Sequence, residues 1–171
     1  MNLPAKFKAL IITLSDRAFR GEYEDLSGPG IKERLTGYSH SQNWNINIKM
    51  ELIPDDSVML RELLKSAGNT YDIIITTGGT GIGPRDITIE TVKPLLSKEI
   101  PGIMEFIRVK YGYEKPNALL SRGIAGVLGK ALIYTLPGSV SAVDEYLTEI
   151  LKTLRHSLLM LYGIDTHSKN Q

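Results

Sequence analysis

The chain has 171 residues, a length that suits one compact domain with a sizeable buried core. Its 20 Lys and Arg nearly balance 19 Asp and Glu, which leaves no broad basic field and argues against a nucleic-acid-binding protein. The absence of cysteine excludes disulfides, Cys-ligated zinc and a Cys nucleophile, and it fits a cytoplasmic location. No segment reaches membrane-spanning length, so we expect a soluble protein without membrane contact.

The first predicted strand covers residues 7–14, a mostly apolar run that favours an interior position in a sheet. Ser15 follows at the carboxyl end of this strand. A polar loop comes next, and it contains Asp25 and Ser27. These two residues either serve a ligand site or only cap the helix predicted at residues 31–35, and the sequence leaves both interpretations open.

The polar residues 37–47 interrupt the apolar pattern, so we predict a surface connection there. His40 lies in this stretch without a visible partner, and we expect it to be inert. Trp44 is interpreted as a packing anchor rather than a stacking platform for a base. Residues 48–53 then alternate between apolar and polar side chains, which predicts a strand near the sheet edge.

Two aspartates, Asp55 and Asp56, end that strand, and apolar side chains between Met59 and Ala67 follow at helical spacing. Either aspartate could cap the predicted helix. The functional interpretation is that Asp55, again at the carboxyl end of a strand, faces the same cleft as the later Asp86. Two carboxylates beside a phosphate suit Mg²⁺, which prefers a few carboxylates together with water and phosphate oxygens.

The most informative stretch begins with the β-branched run at residues 72–75, which predicts a strand buried on both faces. Small residues follow it: Thr77, Gly78, Gly79, Thr80 and Gly81. Glycine amides can turn toward one point, and ligands of open α/β sheets bind beyond the carboxyl ends of strands. We therefore predict a phosphate site, with a plain strand-to-helix turn as the alternative. The stretch lacks the Lys of a Walker A loop, and Pro84 stands where the Rossmann fingerprint needs a small residue.

A helix is predicted at residues 87–97, and Pro94 falls inside it. An interior proline costs about 3 kcal/mol, so we expect this helix to be kinked or divided. A further helix is predicted at residues 103–111. A short antiparallel segment should then turn at residues 129–130 into the last strand, residues 131–136.

That last strand ends in a second loop of small residues, Pro137, Gly138 and Ser139. Apolar residues from Val143 to Leu161 keep helical spacing and predict a long final helix. Ser141 and Asp144 resemble a capping box at its start. We expect the polar residues 163–171 to form a frayed tail.

Strands alternate with helices along the chain, which predicts a three-layer α/β/α sandwich with a mainly parallel central sheet. We treat residues 1–171 as a single domain. In such a fold Ser15, Asp55 and the two small-residue loops should meet at one edge of the sheet, because each follows the carboxyl end of a strand. This convergence carries more weight than any one motif.

Several short motifs occur together in an order that resembles a known family. They are LSDR (14–17), EDLSGP (24–29), IPD (53–55), TTGGTG (76–81), PRD (84–86), LSR (120–122) and LPGS (136–139). The set resembles the molybdopterin adenylyltransferases of the MogA/MoaB type, which include the G domains of gephyrin and plant Cnx. The resemblance covers nearly the whole chain, and TTGGTG with PRD is its most specific part.

The resemblance implies Mg²⁺-dependent transfer of an adenylyl group from ATP to molybdopterin, with release of pyrophosphate, during molybdenum cofactor biosynthesis. It also implies a homotrimer and contacts with molybdopterin synthase and a molybdenum insertase. Motif by motif, it implies that Asp55 and Asp86 are catalytic and bind Mg²⁺. It places the nucleotide phosphates near Asp25 and residues 77–81. The residues that it implies for pterin binding are Ser15, Ser121, Arg122, Pro137, Gly138 and Ser139.

Two other functions fit parts of the sequence. One is a molybdopterin-binding or scaffolding module without adenylyltransferase activity. The other is a nucleotide amide hydrolase of the competence-damage type, whose domains share the TTGGTG loop at residues 76–81. Such hydrolases usually carry an additional domain, for which this chain has no room.

Overall fold

The computed structural model describes residue 4 and residues 6–164, and its described strands form one sheet of six. The strands are β1 (Lys6–Leu14), β2 (Asn45–Ile53), β3 (Ile73–Thr77), β4 (Lys98–Glu99), β5 (Ala125–Leu128) and β6 (Ala131–Leu136). Their order across the sheet is β2-β1-β3-β6-β5-β4. Strands β2, β1, β3 and β6 run parallel to one another, whereas β5 is antiparallel to both β6 and β4. The predicted mainly parallel sheet, with β1 inside it and β2 at its edge, is confirmed.

Helices connect these strands and cover both faces of the sheet. The α-helices are α1 (Asp16–Phe19), α2 (Ser27–Ser41), α3 (Ser57–Ala67), α4 (Thr88–Val92), α5 (Pro101–Gly112) and α6 (Val140–Leu161). A 3-10 turn, Lys93–Leu95, follows α4, and a second one, Pro116–Leu120, follows α5. The predicted division of the helix around Pro94 is thus confirmed. Within the described part of the chain, no helix is long and apolar enough to cross a lipid bilayer.

The core divides into two layers because side chains of β1 alternate between the faces of the sheet. Phe7 and Ile11 pack with α2, α5 and α6 on one face. Leu10 and Ile12 pack with α3 and α4 on the other. Burying a side chain of this size contributes roughly 1.5–3 kcal/mol, so both helical layers are held firmly to the sheet. The predicted three-layer architecture is confirmed.

Helix α2 is longer than the sequence predicted, and this corrects both the short helix at 31–35 and the surface connection at 37–47. Ile31, Leu35 and Ser39 are buried four residues apart, so a serine occupies the third position of the core-facing stripe. Because serine is polar, the helical spacing of apolar residues could not be followed beyond Leu35 in the sequence. Trp44 packs on Phe7 with 4.6 Å between ring centroids, as a packing anchor should.

Helix α6 begins before the predicted capping box. Ser139 is its N-cap and accepts a hydrogen bond from the amide of Ala142 at 3.4 Å. Asp144 instead pairs with Arg34, with 3.2 Å between Oδ1 and Nη1. The helix runs back across the sheet, and at its far end the Tyr162 hydroxyl donates to Asp72 Oδ1 at 2.5 Å. Of the predicted frayed tail, residues 165–171 lie outside the described residues.

Candidate functional site

The carboxyl ends of β1, β2, β3 and β6 meet at one edge of the sheet, where three adjoining clefts open. The acidic cleft, about 360 Å³, is lined by Asp16, Asp55, Arg85 and Asp86, among others. The central cleft, about 230 Å³, is lined by Ser15, Tyr23, Asp25, Ser27, Thr77 and Ser139, among others. The outer cleft, about 470 Å³, is lined by Thr80, Lys115, Ser121, Ser139, Glu145 and Tyr146, among others.

Shared lining residues join the three clefts into one groove. Ser15 lines the acidic and central clefts, and Ser139 lines the central and outer clefts. Gly79 and Asp86 line both the acidic and the outer cleft. The structure therefore brings together, around one groove, residues that lie far apart along the chain.

The glycine corner, residues 77–81, has a backbone that only glycine adopts without strain at two positions. Gly78 has φ +101° and Gly79 has φ +65°. A Cβ on Gly78 would lie 2.2 Å from the carbonyl oxygen of Leu14, and one on Gly79 would lie 2.4 Å from Thr88 Oγ1. Both glycines are required by conformation and by close approach.

Contacts within the protein hold the glycine corner in this shape. The amide of Gly78 donates to the Leu136 carbonyl at 3.0 Å, while its own carbonyl accepts from Thr88 Oγ1 at 2.8 Å. The Gly78 amide is therefore already used by β6, and the predicted contact of Gly78 with phosphate stays a prediction. Among the described residues, none accepts from the amides of Gly79, Thr80 or Gly81. These three amides are the donors left for a ligand.

Thr77 connects the two small-residue loops. Its side chain is fully buried, and its hydroxyl donates to the carbonyl of Pro137 at 2.8 Å. The second loop, residues 137–139, is called the proline corner below. Thr77 thus sets the distance between the glycine corner and the proline corner, and its contact with phosphate stays a prediction.

Arg122 supports the glycine corner from behind. Its Nε donates to the Gly81 carbonyl at 2.7 Å, and its Nη2 donates to the Asp86 carbonyl at 3.2 Å. The guanidinium also pairs with Glu90, and the backbone amide of Arg122 donates to the Thr80 carbonyl at 2.9 Å. These contacts make Arg122 a positioning residue, and its predicted contact with pterin stays a prediction.

Asp86 both shapes the loop and faces the groove. Its Oδ2 accepts from the amide of Gly83 at 2.7 Å, and a Cβ on Gly81 would lie 2.8 Å from the same oxygen. Asp86 Oδ1 accepts no hydrogen bond from the described residues. One carboxylate oxygen therefore orders the loop and the other is available to a ligand.

Asp55 and Asp16 hold each other in place by a reciprocal pair of bonds. The Asp16 amide donates to Asp55 Oδ2 at 3.1 Å, and the Asp55 amide donates to Asp16 Oδ1 at 3.0 Å. Arg85 Nη1 lies 3.6 Å from Asp16 Oδ2. Asp56, by contrast, caps α3 by accepting from the amides of Val58 and Met59. The capping alternative is thus confirmed for Asp56, while Asp55 lines the acidic cleft as predicted.

The acidic cleft disfavours the ionised form of Asp55. Burial raises the pKa of this carboxyl above its ordinary value, and the charges of Asp16 and Asp86 raise it further. The hydrogen bond from the Asp16 amide and the charge of Arg85 oppose this increase. A cation bound between the carboxylates would relieve the repulsion.

The residues present fit a magnesium ion of the kind that binds nucleotides. Asp55 and Asp86 each keep one carboxylate oxygen, Oδ1, free of hydrogen bonds from the described residues. Within those residues no cluster of three His, Cys, Asp or Glu side chains could hold a metal by itself. Mg²⁺ with few protein ligands relies on water and phosphate oxygens, so the donor set suits an ion that arrives with ATP.

Asp25 has a structural role that the sequence left open. Its Oδ1 accepts from the amides of Ser27 and Gly28 at 3.0 Å each, and its Oδ2 accepts from Thr13 Oγ1 at 2.7 Å. Asp25 therefore bonds the first two amides of α2, as a capping residue would, although Leu26 is the residue directly before the helix. Ser27 Oγ donates to the Gly138 carbonyl at 2.8 Å, so this loop also supports the proline corner. Nucleotide binding by Asp25 stays a prediction.

Sequence reasoning missed several side chains of the groove. Tyr23 shares a 2.7 Å hydrogen bond with Ser15, whose Oγ also caps α1. Tyr146 lines the outer cleft, and its buried hydroxyl forms no well-made hydrogen bond with residue 4 or residues 6–164. Burial raises the pKa of Tyr146, and the nearby Ser121 hydroxyl opposes that rise. Lys115 and Glu145 form an ion pair in the same cleft. No motif marks these residues, and only the spacing of α6 could have pointed to Tyr146.

Comparisons with known proteins show the family and the fold of this chain. The family described as "Probable molybdopterin binding domain" matches residues 10–156. A molybdopterin adenylyltransferase from Pyrococcus furiosus is 38% identical over 165 residues, which covers 90% of this chain and 93% of the relative. A molybdenum cofactor biosynthesis protein B from Staphylococcus carnosus is 39% identical, with 89% of this chain and 88% of the relative covered. The crystal structure of the molybdopterin biosynthesis enzyme MoaB from Thermus thermophilus superposes with a TM-score of 0.82 at 39% identity, covering 92% of this chain and 97% of that one.

Proposed function

Because the chain belongs to the molybdopterin-binding domain family, we propose that it is a molybdopterin adenylyltransferase of molybdenum cofactor biosynthesis. An oxygen of the terminal phosphate of molybdopterin attacks the α-phosphorus of ATP. The bond from that phosphorus to the bridging oxygen breaks, and pyrophosphate leaves with the bonding electrons. The observation that carries this proposal is that Asp55 and Asp86 line one cleft together with Gly79, and that Asp86 and Gly79 also line the outer cleft with Thr80 and Gly81.

The reaction joins two anions, so charge and alignment decide its rate. The amides of residues 79–81 donate hydrogen bonds to phosphate oxygens on which negative charge grows during the transfer. Asp55 and Asp86 would hold Mg²⁺, which when bound supplies charge neutralisation at the phosphates. The attacking phosphate is already ionised, so no general base and no covalent nucleophile are needed. Catalysis by this chain is mainly positioning.

The outer cleft suits the pterin. It has a larger volume than the acidic and central clefts, and it combines apolar walls with a few hydroxyl groups, as small-molecule sites usually do. Ser121 and Ser139 both line it, in agreement with the contacts that the family resemblance implies. Gly79 and Asp86 border it, so a pterin phosphate bound there would face the acidic cleft and the nucleotide.

Pyrophosphate release from molybdopterin, ATP and Mg²⁺ tests the proposal. Asp86→Asn keeps an oxygen that can accept from Gly83 but removes the charge, so we expect turnover to fall at least about a hundredfold with the fold retained. Asp56→Asn is the matched control, because Asp56 caps α3 outside the acidic cleft, and its turnover should equal that of the wild type. Full turnover of the Asp86 variant would remove this carboxylate from the mechanism.

The second candidate is a molybdopterin-binding or scaffolding module. It is favoured by the fact that several predicted ligand groups, among them Thr77, Arg122 and Asp25, are bonded within the protein. Calorimetric titration separates the two functions. Binding of molybdopterin without any pyrophosphate release in the presence of ATP and Mg²⁺ would favour the module over the enzyme.

We also propose a homotrimer, contacts with molybdopterin synthase and a molybdenum insertase, and a cytoplasmic location. Exposed apolar side chains on α5 and directly after it support a subunit contact, with Phe106 56% and Tyr113 87% exposed. Light scattering tests the subunit count. Phe106→Glu should lower the measured mass if this surface joins the subunits, and an unchanged trimer would place the contact elsewhere.

A further inference from the structure

The outer cleft contains one ion pair at its wall. Lys115 Nζ is hydrogen-bonded to Glu145 Oε1, and both residues line the cleft. The side chain of Glu145 is 17% exposed and that of Lys115 is 55% exposed. The lysine head therefore has room to move, whereas the glutamate belongs to α6 and its side chain is mostly buried.

Charge in this cleft is unfavourable for an anion. Among the described residues that line it, Asp86 and Glu145 are acidic and Lys115 is the one with a cationic side chain. Glu145 forms an ion pair with Lys115. This contact raises the pKa of Lys115, so the lysine stays charged. Arg122 lies behind the glycine corner with its guanidinium bonded to Gly81, Asp86 and Glu90. The cleft therefore has a single mobile positive charge to offer.

The backbone holds Lys115 at this position. Its amide donates to the Tyr111 carbonyl at 2.9 Å, and its carbonyl accepts from the Ala118 amide at 2.8 Å. Pro116 follows and restricts the backbone of Lys115 to extended conformations. The side chain thus starts from a fixed point at the end of α5 and moves only through its own rotatable bonds.

We propose that Lys115 binds the anionic group of the substrate in the outer cleft and that Glu145 is its counter-ion until the substrate arrives. This inference rests on the proposed function, which places a phosphate-bearing pterin in that cleft. Binding exchanges the Glu145 carboxylate for a substrate oxygen as the partner of Lys115. Glu145 therefore competes with the substrate, and the two residues affect affinity in opposite directions.

Opposite effects of two substitutions test this exchange. Lys115→Gln should raise the Kd and the KM for molybdopterin about tenfold, the usual effect of one charge-assisted hydrogen bond. Glu145→Gln frees the lysine and should lower both constants about threefold, within the range of an exposed ion pair. Lys115→Arg keeps the charge and should stay close to wild type. The Kd for ATP should be unchanged in all three.

Lys110 provides the matched control. It pairs with Glu149 at 2.6 Å and thereby also joins α5 to α6, but it does not line the outer cleft. Lys110→Gln should leave the Kd and the KM for molybdopterin unchanged. Thermal unfolding of every variant shows whether the fold is kept.

Each outcome is decisive. An unchanged Kd in Lys115→Gln, or a shift in the same direction for Lys115→Gln and Glu145→Gln, would overturn the exchange and leave the pair as a structural brace. If the wild type binds molybdopterin without turnover, the proposed reaction fails but the Kd values still test Lys115. If the wild type does not bind molybdopterin at all, the proposed function and this inference both fail.

Discussion

The glycine corner and the proline corner follow neighbouring parallel strands, yet the protein holds them in different ways. In the glycine corner, the Gly78 carbonyl is bonded by Thr88 and the Gly81 carbonyl by Arg122. Gly78 and Gly79 also have positive φ angles. The proline corner leads directly into α6, and a Cβ on Gly138 would meet Gly78 Cα at an ordinary 3.4 Å. Side chains bond carbonyls in both corners, because Thr77 donates to Pro137 and Ser27 donates to Gly138. The corners differ in their backbone, since the glycine corner requires two left-handed glycines and the proline corner leads straight into α6.

This difference indicates which corner carries the demanding chemistry. A loop with a left-handed backbone and bonded carbonyls presents its free amides in a fixed direction, which is what stabilisation of a growing charge requires. The proline corner, which lines the outer cleft, needs no left-handed glycine and therefore tolerates substitution more readily. The substitutions below test that division of roles.

The largest contrast is expected between alanine substitutions at the two corners. Gly78→Ala places a Cβ against the Leu14 carbonyl and requires a left-handed backbone, so unfolding free energy should fall by at least about 3 kcal/mol. Gly138→Ala meets no such contact and should cost less than about 1 kcal/mol. Urea denaturation measures both. Equal losses would show that the corners are held alike.

Arg122→Lys should weaken the glycine corner next most strongly. Lysine cannot reproduce the fork that bonds two carbonyls and Glu90, so we expect a loss of roughly 1–3 kcal/mol and a Kd for ATP raised about tenfold. Arg108→Lys is the control, since Arg108 donates to the Ser121 and Gly123 carbonyls on either side of Arg122 and not to a residue of the corner. It should lose stability without any change in the Kd for ATP. A normal ATP affinity in the Arg122 variant would contradict the bracing role.

Removing one hydroxyl that holds each corner should give a smaller contrast. Thr88→Val leaves the buried Gly78 carbonyl without its 2.8 Å partner, and we expect a cost of about 1–2 kcal/mol. Ser139→Ala removes an N-cap bond of 3.4 Å, at the weak end of the range, and should cost about 0.5 kcal/mol. Thermal unfolding of the two variants ranks their losses of stability. A larger loss in Ser139→Ala than in Thr88→Val would contradict the difference between the corners.

The smallest predicted effect is a pH-dependent change in folding stability on substitution of Asp55, which lies beside the glycine corner. Because its pKa is raised in the folded state, folding disfavours the ionised carboxyl, and wild-type stability is reduced as pH rises through the ordinary value of 3.8. Asp55→Asn should therefore be more stable than wild type at neutral pH without Mg²⁺, by less than about 1 kcal/mol because solvent screens the site. The gain should vanish below pH 3.8. A variant less stable than wild type at neutral pH would contradict the raised pKa.

Much of the fold could be predicted because strand ends are marked locally. The apolar run before Ser15 and the β-branched run before Thr77 locate the carboxyl ends of β1 and β3, and a parallel sheet brings such ends together. Helix α2 could not be bounded in the same way, since Ser39 fills a core position that apolar patterning misses.

The location of the candidate site could be predicted from the sequence, but the contacts between its side chains could not. Asp55 and Asp86 could be assigned to one cleft from topology alone. That Arg122 bonds the glycine corner depends on where the segment before β5 packs, which the local sequence does not show. The same holds for Lys115 and Glu145, whose meeting requires the end of α5 to reach α6.

Helix α6 runs from the carboxyl ends of the parallel strands, where the groove lies, back to their amino ends. Its 22 residues span about 33 Å, from Ser139 beside the substrate groove to Tyr162 beside Asp72. Met160 is 68% exposed near the far end, and the sequence contains no native thiol. A single cysteine introduced there would let the molecule be tethered to a sensor surface or carry a dye while the groove stays open to solution.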